Sequence, residues 1–431
     1  MAPDNLQQYE IVDLSHDGRG VGRLNGKACF IQGALPGETV LVSRHKSKRN
    51  FDEGRVSQII HPSPDRMEPR CNYFSRCGGC SLQHLVNESQ IDIKQSQFLN
   101  SLKRGGLVPE AVMPPLSGSE WHYRRRARLA VQHTRDGGCL VGFRNAGSKR
   151  REPISSCEIL DQRLAAMMPH LPIWLAAMPK GIKVFELELT AGDNAVAIAV
   201  EANRTITEEE RQHILTGIDF VESYTQLWWK AESKASFVRL DSGSQDLAFT
   251  VGDEIKIQFR PGQFIQVNDV LNQQMIRRVL ELVSGKPRMA LDLFCGIGNF
   301  SLPLAKICGQ VIGVEGLSEL VESAIRNTEI NKLSNTRFVT ADLSKPEVLK
   351  QFEKESVDLV VLDPPRSGAS GVMSWIAELG ASQVVYVSCH PSTMIRDAKS
   401  LLDTGYRLSK VGVMDMFPHT THVEAIALFE K

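Results

Sequence analysis

One thiol and a row of carboxylates stand where apolar runs of this chain end, a combination suited to covalent chemistry on an electron-poor ring. The run Gln383-Val384-Val385-Tyr386-Val387 leads into Ser388-Cys389-His390-Pro391. Such a run predicts a buried strand, so Cys389 stands where strand gives way to loop. In an open parallel sheet, ligands bind outside that carboxyl edge. A lone cysteine at a strand end is more often a small packing residue. The residues upstream shift that balance.

Asp292-Leu293-Phe294-Cys295-Gly296-Ile297-Gly298-Asn299 reads as a strand entering a glycine turn, where backbone N–H groups can approach a ligand closely. The next strand ends in Glu315, 19 residues past Gly296, where a carboxylate accepts hydrogen bonds from ribose hydroxyls. Asp342 ends the strand after that and suits an adenine edge. Asp363 ends the fourth, in Asp363-Pro364-Pro365-Arg366. A dinucleotide site would bring a third glycine, but Ser301 holds that place. Phe294 and Asn299 suit a compact nucleoside donor such as S-adenosylmethionine (AdoMet).

A thiol beside a methyl donor suits methylation at C5 of a pyrimidine. C5 alone reacts poorly with a sulfonium. A thiolate added at C6 makes C5 nucleophilic, and a base must then remove the C5 proton. Cys389 supplies the thiol. Glu424, at a turn-to-strand junction in Phe417-Pro418-His419-Thr420-Thr421-His422-Val423-Glu424, supplies the base. His419 and His422 read as local hydrogen-bonding groups. Asp363 is also placed to orient the ring through its N–H.

The elements that must position these groups follow from periodicity. Over 1–62, short alternating segments punctuated by glycine predict a five-stranded barrel, with Arg44–Asn50 as a basic loop between strands. Over 63–262 the pattern is mixed. A helix is expected at Ile91–Arg104, with hairpins over Arg125–Arg144, turning at Asp136-Gly137-Gly138, and over Lys183–Val200, turning at Gly192-Asp193-Asn194. A helical part near 83–115 is expected to pack on the last domain. Over 263–431 a helix at Asn268–Val283, with Val270, Leu271, Met275, Val279, Leu280 and Val283 on one side, precedes alternating strands and helices. The strands are Ala290–Phe294, Val311–Val314, Arg337–Thr340, Val357–Leu362 and Val384–Val387. Tyr406–Val413 and Val423–Phe429 close the chain as an antiparallel pair. The class is α/β: a doubly wound, Rossmann-like catalytic domain behind a barrel and a mixed central domain.

No apolar run approaches the ~20 residues that span a bilayer. The first residues lack the basic and apolar regions of a signal peptide, and a cytoplasmic protein is expected. Nine cysteines in such a chain argue for metal or catalytic thiols rather than disulfides. Net charge is zero but uneven: residues 1–151 carry 23 Lys+Arg against 14 Asp+Glu. A basic front half suggests a polyanion-binding arm. Within it, Trp121-His122-Tyr123-Arg124-Arg125-Arg126-Ala127-Arg128 and Ser148-Lys149-Arg150-Arg151 combine arginines suited to phosphates with aromatics suited to stacking.

Cys71, Cys77 and Cys80 are spaced C-x5-C-x2-C. Thiolates so grouped bind zinc or an iron–sulfur cluster, and Cys157 is the best candidate for a fourth ligand. Cys29, Cys139, Cys295 and Cys308 read as packing residues.

Together, Gln263-Phe264-Ile265-Gln266-Val267-Asn268, the Phe294-Cys295-Gly296 turn, Asp363-Pro364-Pro365-Arg366, Ser388-Cys389 and Asp415-Met416-Phe417-Pro418-His419-Thr420 resemble the RNA uracil-5-methyltransferase family. The resemblance implies an AdoMet site at Gln266, Phe294, Asn299, Glu315, Asp342 and Asp363, with Cys389 as nucleophile and Glu424 as base. It also implies a four-iron, four-sulfur (4Fe-4S) cluster on Cys71, Cys77, Cys80 and Cys157. The N-terminal barrel resembles a TRAM domain, an RNA-binding module. One position departs, since the family usually carries Asn where this chain has His390. The order of modules implies a ribosomal branch of the family: a monomer acting on one uridine of 23S ribosomal RNA, without a membrane. Rival expectations are a bifunctional or different-site RNA uracil-5-methyltransferase, a cytosine-5-methyltransferase, and a non-catalytic redox-sensing RNA-binding protein.

Overall fold

Five short strands, β1 (Leu6–Leu14), β2 (Gly20–Leu24), β3 (Lys27–Gln32), β4 (Thr39–Ser47) and β5 (Phe51–His61), close into a barrel in the order β1-β2-β3-β5-β4. This is a computed structural model, and it describes residues 6–148, 150–218, 220, 224–231, 236–252, 254–352 and 355–431. Tyr9, Ile11, Cys29, Ile31, Val40 and Val42 fill the barrel interior. Gly54 lies where a Cβ would fall 2.4 Å from Val42, so only glycine lets β5 close against β4. The expected barrel is present, but Arg44–Asn50 is not a projecting loop. Arg44–Ser47 continue β4, and the turn to β5 takes only three residues. The buried Asp52 carboxylate explains this: it accepts from Lys27, Arg44 and Ser47 and ties the basic strand end down.

The chain divides into two compact units. One comprises the chain up to Gln97 with Asn145–Ser148 and Phe417–His422; the rest forms the other. The first holds the barrel and most of helix α1 (Asn87–Arg104). Within it, Gln90 is fully buried and clasps the 417–422 segment, accepting from His419 N and meeting His419 Nδ1. His419 thus bonds to a residue far from it in sequence.

The second unit begins with β6 (Ala111–Val112), β7 (Arg126–His133), β8 (Cys139–Arg144) and β9 (Arg151–Pro153). Helices α2 (Gln162–Met167) and α3 (Leu171–Ala176) lead to β10 (Val184–Ala191) and β11 (Val196–Ala202). Then come α4 (Glu208–Thr216), β12 (Thr225–Lys230), β13 (Val238–Arg239) and a separate hairpin, β14 (Leu247–Val251) and β15 (Ile255–Phe259). A seven-stranded sheet runs β13-β12-β11-β10-β7-β8-β9, and both expected hairpins are in it.

Helix α5 (Asp269–Leu282) is capped by Asn268, whose side chain accepts from Leu271 N. Its buried stripe is Leu271, Asn272, Met275, Ile276, Val279 and Leu282. Val270, expected on that stripe, is 46% exposed, because the inward face is set a residue later by the cap. The catalytic sheet follows: β16 (Met289–Leu293), α6 (Ser301–Leu304), β17 (Gln310–Glu315), α7 (Ser318–Ile330), β18 (Thr336–Thr340), β19 (Leu359–Leu362), α8 (Met373–Leu379), β20 (Gln383–Ser388), α9 (Pro391–Leu402), β21 (Arg407–Met414) and β22 (Glu424–Glu430). Its order is β18-β17-β16-β19-β20-β22-β21-β6. The first five strands are parallel and β22 and β21 antiparallel, as the alternation predicted. Strand order reverses between β16 and β19, so Phe294 and Asp363 flank a topological switch point, the place such sheets hold ligands. The core lies on this sheet, where Leu291, Leu293, Ile312, Val314, Leu362 and Tyr386 are fully buried.

Candidate active site

Two loops at the carboxyl edge of this sheet gather most of the expected residues. The first is the glycine turn after β16. Phe294 adopts φ +63, rare for a residue with a Cβ, and Gly296 and Gly298 follow at φ +55 and +97. Glu315 holds this turn: its carboxylate accepts from Gly296 N at 3.1 Å, from Gly316 N at 2.8 Å and from Leu317 N at 3.2 Å. A Cβ on Gly296 would meet nothing within 4 Å, so open space lies beside the turn. Asn299 pairs its amide reciprocally with the buried Asn272, at 2.9 and 3.0 Å, which ties the turn to α5. Asp342 is exposed after β18 and accepts from Ser344 N and Oγ.

The second loop follows β19 and faces the thiol. Ser388, the last residue of β20, pairs with Ala425 at the start of β22, so Cys389 follows and Glu424 precedes the final pair of the ladder, and the Glu424 charge acts on the thiol. Asp363 accepts from the buried Gln266 Nε2 at 3.3 Å. Electrostatics bind the group together. Burial pushes the Cys389 thiol up to about 11, and the Glu424 and Asp363 carboxylates push the same way, whereas Arg366 opposes them. Burial, then the Asp363 charge, lifts Glu424 well above the ordinary carboxylate range, again against Arg366. Asp363 is raised by burial as well. Cys389 itself is only half-buried. His390 is exposed and begins α9 without a side-chain capping bond.

Sequence reasoning gave no role to three residues placed here. Arg366 lies within a quoted motif, yet its effect on the thiol depends on a loop conformation that spacing does not reveal. Leu317 is 56% exposed beside the Glu315 carboxylate, an apolar side chain open to a flat ring. Asp292 is buried and accepts from Ser301 Oγ; burial chiefly, with help from the Asp363 charge, pushes its carboxyl up to about 7.

The arginine run does not form the expected open phosphate surface. Arg125 is buried and paired with Asp193 and Asp269. Arg126 donates to the buried Glu188 at 2.6 Å and to Gln263 O at 2.7 Å. Arg128 also reaches Glu188, and Arg124 donates to Arg126 O. Acids far along the chain therefore claim Arg125 and Arg126, while Arg128 pairs with Glu188 yet stays 59% exposed. Arg150 and Arg151 are exposed, and Lys149 lies outside the described residues.

Cys71, Cys77 and Cys80 lie in the first unit, Cys157 in the second, all half-buried and none in a disulfide. The chain turns tightly over Cys71–Cys77, with Phe74 N donating to Cys71 O and Cys77 N to Tyr73 O. Gly79 N donates to Cys77 Sγ at 3.4 Å. Among the described residues, no group of three or more His, Cys, Asp or Glu side chains is arranged to hold a metal ion. Nor is any described helix long and apolar enough to cross a membrane.

A doubly wound sheet with a glycine turn, a thiol and acids at its carboxyl edge suits a methyltransferase, and comparison with known proteins shows that class. The tRNA (Uracil-5-)-methyltransferase family matches residues 89–431, and the TRAM domain family matches residues 10–57. The chain belongs to the RNA uracil-5-methyltransferase family. The 23S rRNA (uracil(1939)-C(5))-methyltransferase RlmD of Legionella pneumophila (strain Lens) is 40% identical over 435 residues, covering 99% of this chain and 97% of that protein. The RlmD of Alkalilimnicola ehrlichii is 40% identical over 430 residues, covering 98% and 96%. The Pyrococcus abyssi tRNA (uracil-54, C5)-methyltransferase, solved with S-adenosyl-L-homocysteine, shares the fold at TM-score 0.76 and 24% identity, covering 98% of this chain and 100% of that one.

Proposed function

We propose that the protein transfers a methyl group from AdoMet to C5 of a uridine in 23S ribosomal RNA, the one numbered 1939 in its relatives. The observation that supports this reading is that Cys389 and Glu424 flank the last pair of the β20–β22 ladder and share one electrostatic environment with Asp363 and Arg366. The donor edge suits a sulfonium nucleoside: the glycine turn leaves open space, the Glu315 carboxylate stands against the turn, and Leu317 offers an exposed apolar side chain. Gln266, Phe294, Asn299, Asp342 and Asp363 complete the proposed donor site. AdoMet, when bound, supplies the electrophilic methyl group.

The chain's residues do the rest. The Cys389 thiolate bonds to C6 of the uracil, and the electron pair moves onto C5 and O4. C5 takes the methyl group, releasing S-adenosylhomocysteine. Glu424 removes the C5 proton, and the S–C6 bond breaks to restore the ring double bond. The uridine must leave its stack to reach a thiol at a sheet edge. On this reading the protein works as a cytoplasmic monomer. Its barrel over 1–62, a central domain over 63–262 and a catalytic domain over 263–431 divide RNA binding from chemistry.

Unmethylated 23S ribosomal RNA incubated with labelled AdoMet, then digested to nucleosides, is expected to yield label in 5-methyluridine alone. Label in 5-methylcytidine, or none, overturns the proposal.

Cys71, Cys77, Cys80 and Cys157 are proposed to hold a 4Fe-4S cluster, a reading supported by the spacing and by the N–H···S bond at Cys77. No step of methyl transfer needs its electrons. Protein purified without oxygen is expected to carry about four irons and four sulfides with a broad visible absorption. Replacing the four cysteines with alanine should remove both iron and colour; protein that contains neither before replacement refutes the cluster.

A further inference from the structure

We propose that Asp397 is a positioning residue for the nucleophile: it fixes the loop that carries Arg366 so that the guanidinium stays beside the Cys389 thiol. This rests on the reading of Cys389 as the nucleophile. Asp397 lies in α9 and is 2% exposed. A carboxylate is buried at such depth only when its oxygens are well supplied with donors. Oδ2 accepts from Ala369 N at 2.6 Å and from Tyr386 Oη at 2.8 Å. Oδ1 accepts from Arg396 Nε at 2.8 Å and Nη2 at 2.7 Å. Arg396 Nη2 donates onward to Ser367 O at 2.9 Å.

These bonds converge on the loop that runs from Asp363 to Ala369. Its turn is closed by Gly368 N donating to Pro365 O, just past Arg366. Gly368 has φ +80, and a Cβ there would fall 2.5 Å from both Asp397 Oδ2 and Arg396 Nη2. The loop therefore sits directly on the carboxylate and can do so only with glycine. Tyr386 lies three residues before the thiol in β20, and α9 starts two residues after it. One buried carboxylate thus joins the strand, the helix and the loop that surround Cys389.

The charged groups facing the thiol are Glu424 from β22, and Asp363 and Arg366 from this loop. The two carboxylates oppose ionisation, and of the three only Arg366 favours it. Asp363 is held at the loop's start by β16, where its N donates to Leu293 O, and by Gln266, so letting the rest of the loop drift withdraws Arg366 and leaves both unfavourable carboxylates in place. Asp397 therefore governs how readily the thiol ionises without touching it.

The test is the pH dependence of Cys389 alkylation by iodoacetamide in the full-length protein, read at the Cys389 peptide by mass spectrometry. Asp397→Asn and Gly368→Ala should each raise the midpoint by about one pH unit, as Arg366→Ala does, since a nearby opposite charge lowers such a value by about 1–3 units. Asp397→Asn combined with Arg366→Ala should shift it no further than either alone. Methyl transfer at neutral pH should fall about tenfold in kcat, the rate equivalent of one unit, with AdoMet binding unchanged. An unshifted midpoint in cooperatively melting Asp397→Asn or Gly368→Ala protein overturns the proposal, and so does an additive shift in the double variant. If Asp397→Asn does not fold, Gly368→Ala decides, because it displaces the loop with the carboxylate intact. Alkylation does not require methyl transfer. A Cys389→Ala protein that still methylates would therefore remove the nucleophile reading while leaving the alkylation result to stand or fall alone.

Discussion

Replacing Cys389 with alanine is expected to abolish methyl transfer while leaving AdoMet binding intact. Uracil C5 is too weak a nucleophile for a sulfonium until sulfur adds at C6, and no other group assigned to the site supplies that nucleophile. The fall should be on the order of 10⁴-fold or more, the scale of loss when an enzyme is deprived of its nucleophile. Cys389 is half-buried, so one sulfur atom is exchanged for little change in packing and the melting temperature should hardly move. Incorporation of labelled methyl groups into 23S ribosomal RNA measures the loss. Turnover at the wild-type rate would show that the register between β20 and β22 has no chemical meaning.

Replacing Glu424 with glutamine is expected to stop the reaction one step later. Addition and methyl transfer need no base at C5, but release does. The methylated RNA should remain bound through sulfur and migrate as a protein–RNA adduct on a denaturing gel, with turnover reduced about 10²- to 10⁴-fold. Glu424 is 5% exposed, and glutamine matches its shape, so the fold should survive. The raised pKa of Glu424 sets the sign of the pH effect. The group removes a proton only when ionised, so the wild-type release rate should climb as pH rises through the neutral range, and the glutamine variant should lose that climb. Absence of any adduct, with release unimpaired, would assign the base to another residue.

Most of the catalytic sheet was legible because β16, β17, β19 and β20 are short apolar runs, the last three running into Glu315, Asp363 and Cys389, and burial of such runs in a parallel sheet leaves little alternative. The barrel was legible from its glycines. What escaped reading depends on partners remote in sequence. Arg125 and Arg126 look like a phosphate-binding run until Glu188 and Asp193, some 60 residues on, fold against them. Charge type alone cannot distinguish a solvated arginine from a paired one. Asp397 was invisible for a related reason: beyond its neighbour Arg396, its partners Tyr386 and Ala369 lie 11 and 28 residues back, on another strand and a loop. Strand β6 has two residues, too few to make a pattern. Register, which no periodicity encodes, is what brings the ends of β20 and β22, and with them Cys389 and Glu424, to the same edge of the sheet.

That two-residue strand does more than extend a sheet. The segment from Glu110 to Leu116 follows β21 closely, with Glu110 N donating to Leu408 O, Met113 N to Val411 O and Leu116 N to Val413 O. Without it, the eight-residue β21 would present a row of unmet backbone acceptors to solvent, a template on which another chain can polymerise. The opposite rim, β18, is only five residues long and carries the charged Arg337, which discourages such stacking by itself. A short, patternless stretch of chain thus serves as a guard against fibril-like self-assembly, and shortening it should make the protein clump at high concentration long before it alters turnover.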